Sequence, residues 1–351
     1  MDDLEKICVE EGVSISEGIK KLDRSGKKIL LVTKNQKLTG IITDGDVRRW
    51  VLRKGSFEEN VNKLMHDRPQ VVKKGELDQA KRMMLDLRLE AIPVVDENNI
   101  PLDVVFLRDL VTSGQRRYEQ VDVPVIIMAG GRGTRLYPYT NILPKPLMPI
   151  GSVTILERVI DSFQKNGCRQ FWLILNYKKN LIKAYLDETQ KTYQVQYVEE
   201  KDFWGTCGGI RLVQGKIKDT FFVSNCDVLL DIDYADLLRH HQMNQNEITV
   251  VTSLKHIQIP YGVIELEKGG EIRNLSEKPS FNYNMNTGIY VMEPSVIDDI
   301  PSNQIFHMTD LMNRLLEKKR KVGAYPIMEK CWQDMGEPGE MRKMIDHFQE
   351  I

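Results

Sequence analysis

MAGGRGTRLYPYTNILPKPLMPIG, residues Met128–Gly151, is the stretch that decides how this chain is read. Gly130, Gly131 and Gly133 let the backbone come close to a ligand and turn successive N–H groups toward phosphate oxygens. Arg132, Arg135 and Lys145 add permanent positive charge suited to a polyphosphate. Pro144 and Pro146 restrict the backbone on either side of Lys145, which lowers the entropy cost of holding its ammonium in one place. The stretch is not a Walker loop, because no GxxxxGK precedes a Ser or Thr, and it is not a GxGxxG dinucleotide turn.

Working outward, Val123–Met128 is a strand candidate that runs directly into this loop. A helix is predicted over Val153–Asn166, burying Ile155, Leu156, Val159, Ile160 and Phe163, with Gly167 as its stop. Phe171–Leu175 and Phe221–Ser224 are further apolar runs of strand length. The alternation predicts an α/β domain with a largely parallel sheet covered on both faces. Ligands of such sheets sit beyond the carboxyl ends of the strands. Asp227, after FFVSNC, and Asp334, in CWQDMGEPGE, are therefore the carboxylates of interest.

GGRGTRLYPYT followed by PKPLMPI resembles the paired motifs of the sugar-1-phosphate nucleotidyltransferases, and the similarity runs from Val123 nearly to the carboxyl terminus. The resemblance implies a Rossmann-like, GT-A-like mixed sheet over residues 122–351. It implies that Arg135 and Lys145 hold the triphosphate, and that Gly130, Gly131, Gly133 and Thr134 lie along the nucleotide. It also implies Mg²⁺ on Asp227 and Asp334, the equivalents of the family's NxD and WxDxGxPE aspartates, because two anionic reactants need a divalent ion. Cys226 stands where the family has glycine. EEKDFWGTCGG (Glu199–Gly209) is similar to the family's ExxxLGTAG segment, which places Glu200, Gly205 and Thr206 at the nucleotide; Trp204 and Cys207 depart from its Leu and Ala. Glu277 and Lys278, after a predicted hairpin, and Asn286 and Thr287 of an NTG triplet that opens the next strand, match the family's sugar-phosphate residues.

The amino-terminal third is an internal repeat. Ile29–Val47 (ILLVTKNQKLTGIITDGDV) aligns with Ile92–Leu110 (IPVVDENNIPLDVVFLRDL), so that Val32 falls on Val95, Ile41 on Val104 and Asp46 on Asp109. Each unit reads as a helix, two strands around a polar turn, then a second helix; Ile15, Ile19 and Leu22 form one apolar stripe and Ala80, Met83, Met84 and Leu87 the other. GIITDGDVRR (Gly40–Arg49) resembles the signature of CBS repeats, a pair of which forms a Bateman module, here residues 1–118. The resemblance implies a regulatory nucleotide at Thr43 and Asp46. The local alternative is that both residues cap a helix over Asp44–Leu52. The second unit has Phe106 and Asp109 at the matching positions, without the threonine. Thr112–Asp122 reads as the linker.

The fusion of a CBS pair to this domain, with a GTxGG segment, resembles the glucosamine-1-phosphate guanylyltransferases of legionaminic acid synthesis. It implies GTP and glucosamine 1-phosphate as substrates. Mannose or heptose phosphates, and UTP, dTTP or CTP, are the alternatives within the class; a catalytically silent nucleotide sensor and a DxD glycosyltransferase built on Asp231 and Asp233 lie outside it. CBS pairs commonly associate face to face, which implies a homo-oligomer.

Composition bounds these readings. The 351 residues exceed one ordinary core, and 49 Lys plus Arg against 50 Asp plus Glu give a net charge of −1, without the basic excess of a nucleic-acid binder. The apolar run around Val123–Ala129 is too short for a bilayer, and the opening MDDLEKICVEEG lacks a secretory leader, which predicts a cytoplasmic protein. The five cysteines never form CxxC, so neither a disulfide framework nor a zinc knuckle is expected. His240 and His241 read as a surface turn rather than a zinc site.

Overall fold

In the computed structural model, residues 2–87, 89–107 and 119–349 are described. The chain divides into two compact units, Met1–Arg117 and Tyr118–Ile351. Asp109, Leu110 and most of the expected linker lie outside the described residues.

The first unit repeats one topology. Strands β1 (Cys8–Glu10), β2 (Ile29–Lys34) and β3 (Lys37–Thr43) form a sheet in which β1 runs parallel and β3 antiparallel to β2. Strands β4 (Val72–Lys73), β5 (Ala91–Val95) and β6 (Pro101–Phe106) do the same. The helix Ile15–Ser25 begins where the Ser14 hydroxyl accepts the Glu17 N–H at 3.2 Å, and it buries Ile15, Ile19 and Leu22 under the first sheet. The helix Leu77–Asp86 buries Ala80 and Met84 against Val72, Ile92, Val94 and Val105. Leu87 departs from the expected stripe: the helix has ended, and this residue caps it with its side chain more than half exposed. Asn99 joins the repeats, since its carbonyl accepts the Leu38 N–H and its side-chain amide donates to the Leu38 carbonyl, each at 2.8 Å.

The second unit is built on seven strands. They are β7 (Val125–Met128), β10 (Gln170–Leu175), β11 (Gln194–Glu199), β12 (Phe221–Asn225), β14 (Ile248–Gln258), β17 (Ser280–Met292) and β18 (Val322–Met328), in the order β11-β10-β7-β12-β17-β14-β18. Only β17 runs against its neighbours. Among the described residues six short strands lie outside this sheet: β8 (Pro149–Ile150), β9 (Val153–Thr154), β13 (Val228–Leu230), the hairpin β15 (Val263–Leu266) and β16 (Ile272–Ser276), and β19 (Trp332–Asp334).

Both faces of the large sheet are covered, as period-two alternation in a sandwiched sheet requires. Ile126, Ile174 and Val223 face a core completed by Ile210, Val296, Leu311 and Leu315. On the other face Phe222 meets Phe163 and Tyr234, with ring centroids 5.5 and 5.6 Å away. Phe163 comes from the helix Ile155–Gln164, which starts in a Thr154–Glu157 capping box.

Two expectations are corrected here. The NTG triplet does not open a strand; it sits inside β17, which pairs with β14 as far as Gln258↔Ser280 across a bulge near Val250 and Thr252. His241 is not on a surface turn. It is 1% exposed, with Nδ1 2.8 Å from the Thr249 hydroxyl and Nε2 3.0 Å from Glu293, because the helix Tyr234–Met243 presents this side to the sheet.

Candidate active site

A cavity of about 630 Å³ opens beyond the carboxyl ends of β7 and β12, where a parallel sheet of this kind places its ligands. The loop after β7 supplies Gly130, Gly131, Arg132, Gly133, Thr134 and Arg135 to its wall. Gly133 turns this loop in the left-handed region (φ 64°), and a Cβ there would stand 3.1 Å from the Cβ of Lys145, so the glycine lets the two motifs touch. Lys145 projects from the short helical turn Lys145–Leu147 and is 9% exposed.

The carboxylates arrive by a different route. β13 pairs antiparallel with β19, setting Val228 opposite Asp334, and the Met335 N–H donates to the Asp227 carbonyl at 2.9 Å. Asp227 and Asp334, more than a hundred positions apart, thus become neighbours. Asp227 forms a buried ion pair with Lys145. Burial, and then the charge of Asp227, push the Asp334 carboxyl up to about 6. The Asp334 Oδ2 and the Arg135 Nη1 both come within 3.3 Å of where a Cβ would stand on Gly336, so that guanidinium and carboxylate converge. Two adjacent carboxylates facing a cationic loop are a hard-oxygen donor set that fits Mg²⁺ completed by ligand oxygens.

Glu200 lines the cavity too, its Oε2 only 2.9 Å from where a Cβ on Gly130 would stand. It is 2% exposed, its Oε1 has no hydrogen-bond partner among the described residues, and burial pushes its carboxyl up to about 7 against the opposing effect of the Trp204 backbone N–H. A Cβ on Gly209 would lie 2.4 Å from that Oε1, so only glycine leaves room for it. Gly205 and Thr206 line the same end, and the Thr206 hydroxyl accepts the Met308 N–H at 3.1 Å.

The expected sugar residues stand apart from this wall. Glu277 and Lys278 are largely exposed, 4.0 Å from each other, and do not line the cavity. The Thr287 hydroxyl donates to the Val251 carbonyl at 2.9 Å and is buried, while the Asn286 Oδ1 accepts the Gly288 N–H and the Tyr290 hydroxyl. Their link to the site is indirect: Gly288 packs against the side chain of Asn225, which lines the cavity.

Asp233 accepts N–H groups of Ala235 and Asp236 as the cap of its helix and is not on the cavity wall. Cys226 lines the cavity, but burial pushes its thiol up to about 12, so it stays protonated. Phe203 and Ile305 also line the cavity and were not anticipated; the signal was a pair of adjacent apolar residues in each of two otherwise polar loops.

In the first unit, Thr43 and Asp46 close a capping box. The Asp46 Oδ2 accepts the Thr43 N–H at 2.8 Å and its hydroxyl at 2.6 Å, and Oδ1 accepts from Arg49 at 2.5 Å.

Comparison with known proteins places both parts of the chain in known families. A family model described as nucleotidyl transferase matches residues 124–350, and one described as CBS domain matches residues 3–53. A mannose-1-phosphate guanyltransferase of Yarrowia lipolytica is 32% identical over 228 residues, covering 61% of this chain and 60% of that protein. A UTP–glucose-1-phosphate uridylyltransferase of Synechocystis sp. is 29% identical over 246 residues, covering 64% and 62%. The chain thus spans about three fifths of the length of these curated relatives. The crystal structure of HddC from Yersinia pseudotuberculosis superposes with a TM-score of 0.51 at 23% identity, covering 64% of this chain and 99% of that one, a likeness of fold.

Proposed function

The chain belongs to the nucleotidyl transferase family, and from that premise we propose that it joins a nucleoside triphosphate to a sugar 1-phosphate, forming a nucleotide-sugar and releasing pyrophosphate. The observation that carries this reading is the convergence of Arg135, Lys145 and Asp227 on one cavity, with Asp334 set just behind its wall beside Gly336. A phosphate oxygen of the sugar attacks the α-phosphorus, the α–β bridging bond breaks, and pyrophosphate leaves with that bond's electron pair. Arg135 and Lys145 hold the leaving charge, while the glycine loop offers backbone N–H groups to the phosphates. Asp227 and Asp334 would hold Mg²⁺, which when bound would neutralise phosphate charge. These residues position and stabilise; no covalent intermediate on the protein is needed.

The preferred base is guanine, and Glu200 supports this. Once it gives up its proton, the carboxylate presents two acceptors, which suit the N1–H and N2–H₂ donors on one edge of guanine. Uracil and thymine present a donor between two acceptors and would leave one carboxylate oxygen facing a carbonyl. The sugar is proposed as glucosamine 1-phosphate, with mannose and heptose phosphates as neighbours in chemistry, which would put the enzyme in legionaminic acid synthesis. A regulatory nucleotide at Thr43 and Asp46 completes the proposal; it would have to replace the capping bonds that Asp46 makes.

Pyrophosphate release tests the reading. The full chain with Mg²⁺ is assayed with each of four triphosphates against glucosamine, mannose, glucose and heptose 1-phosphates. Release with GTP and glucosamine 1-phosphate is expected. Preference for UTP or dTTP overturns the guanylyl assignment, and silence with every pair leaves a nucleotide-binding sensor instead.

A further inference from the structure

Two neighbouring loops along the cavity wall alternate in the same way. In the first, Trp204 is 6% exposed while Phe203 is 45% exposed. In the second, Phe306 is 7% exposed while Ile305 is 65% exposed. Backbone bonds lock the loops side by side: the Phe306 N–H donates to the Trp204 carbonyl at 3.0 Å, and the Phe306 carbonyl accepts the N–H groups of Cys207 and Gly208, each at 3.1 Å. Trp204 and Phe306 therefore anchor the pair in the core, and Phe203 and Ile305 are both left on the cavity wall. An aromatic and a branched aliphatic side chain held this open in a ligand cavity form an apolar surface that the described residues leave uncovered.

We propose that Phe203 and Ile305 form a platform on which the face of the nucleobase lies. This rests on reading the cavity as a nucleotide site. The occupant is a base because the platform shares its cavity with the cationic phosphate end, so one ligand must be apolar and planar at one end and polyanionic at the other. Stacking on an aromatic ring is indifferent to the donor and acceptor pattern at the base's edge. The platform therefore supplies affinity for any base, and choice among bases lies with the polar groups at the base's edge. A purine, with two rings, gains more from it than a pyrimidine.

Calorimetric titration of the full chain with GTP and with inorganic tripolyphosphate, which has no base, tests this. Phe203→Ala is expected to weaken GTP by about 5- to 150-fold, the range of one aromatic–base contact, while leaving tripolyphosphate binding unchanged. Phe203→Tyr should restore GTP affinity, and Ile305→Ala should weaken it less. Unchanged GTP affinity in Phe203→Ala overturns the platform, as does an equal loss for both ligands. Wild-type binding of GTP no tighter than tripolyphosphate also overturns it. Should Phe203→Ala not fold, Phe203→Leu and Ile305→Ala give the same comparison. Turnover is not part of the readout, so a chain that binds GTP on this platform yet releases no pyrophosphate refutes the transfer reaction alone.

Discussion

Lys145 and Asp227 form an ion pair between the turn after Pro144 and the loop after β12, with 11% and 12% of their side-chain surfaces exposed. The pair joins two motifs that are 82 residues apart. It also gives Lys145 two duties. Asp227 can serve the lysine or a dication, and Lys145 can turn to phosphate once Asp227 has another cationic partner.

Breaking this pair should therefore affect stability and activity together. Lys145→Met leaves a buried carboxylate beside a second one, and such a loss costs about 3–5 kcal/mol. Urea denaturation of the metal-free protein should show it, with pyrophosphate release falling by orders of magnitude. A variant with the wild-type midpoint would mean that Asp227 finds solvent when the lysine is gone.

Asp334 should behave in the opposite sense. Its carboxyl is held up near 6 by burial and by Asp227, so its charge opposes the metal-free fold. Asp334→Asn is expected to be at least as stable as wild type without metal, yet to lose turnover by orders of magnitude and to lose the stabilisation that Mg²⁺ gives wild type. Asp227→Asn should lose turnover as well. Near-normal turnover in Asp334→Asn would refute its role as a metal ligand.

Glu200 adds a pH dependence with a definite sign. Its carboxyl is pushed up to about 7 in the fold from the ordinary 4.5, so between those values the native state binds more protons than the unfolded one. Its contribution is therefore full at acid pH and is lost as pH rises through that window, by something on the order of 3 kcal/mol. Glu200→Gln should flatten this part of the stability profile measured by urea at pH 5 and pH 8. The same variant exchanges two acceptors for a donor and an acceptor. Its kcat/KM for GTP should fall about 10- to 100-fold while that for UTP rises. Retained GTP preference would remove Glu200 from base recognition.

The capping box of the first unit should act locally. Thr43→Ala removes the hydroxyl that donates to Asp46, at a cost of about 0.5–2 kcal/mol to the helix Asp44–Leu52. Hydrogen exchange in the full chain should show faster opening of that helix. Titration of the wild-type chain with AMP, ATP, GDP and GTP, with and without excess tripolyphosphate to occupy the cavity of the second unit, would reveal any ligand at Thr43 and Asp46. Heat that persists in its presence supports a nucleotide there, and no residual heat leaves the cap as the role of both residues.

Much of this protein is legible along the chain because its signals are local. The apolar runs of β7, β10 and β12 declare a sandwiched parallel sheet, since each strand buries both faces. The glycine loop and Lys145 declare a phosphate site, since backbone reach and fixed charge are properties of a short segment. The repeat is visible because each unit carries its own period.

What only the tertiary structure decided depends on contacts between distant segments. NTG lies within β17 because the β14 ladder runs on to meet it, and no local signal records how far a partner strand extends. His241 is buried because one face of its helix meets β14 and β17, whereas its neighbours in sequence suggested a surface. Lys145 is bound to Asp227, and Asp334 is brought beside that pair by the register of β13 on β19, a matter of two strands more than a hundred residues apart. Phe203 and Ile305 share a wall because backbone bonds align two loops, and whether an apolar side chain in a loop points inward or outward is settled by that alignment, not by the residue.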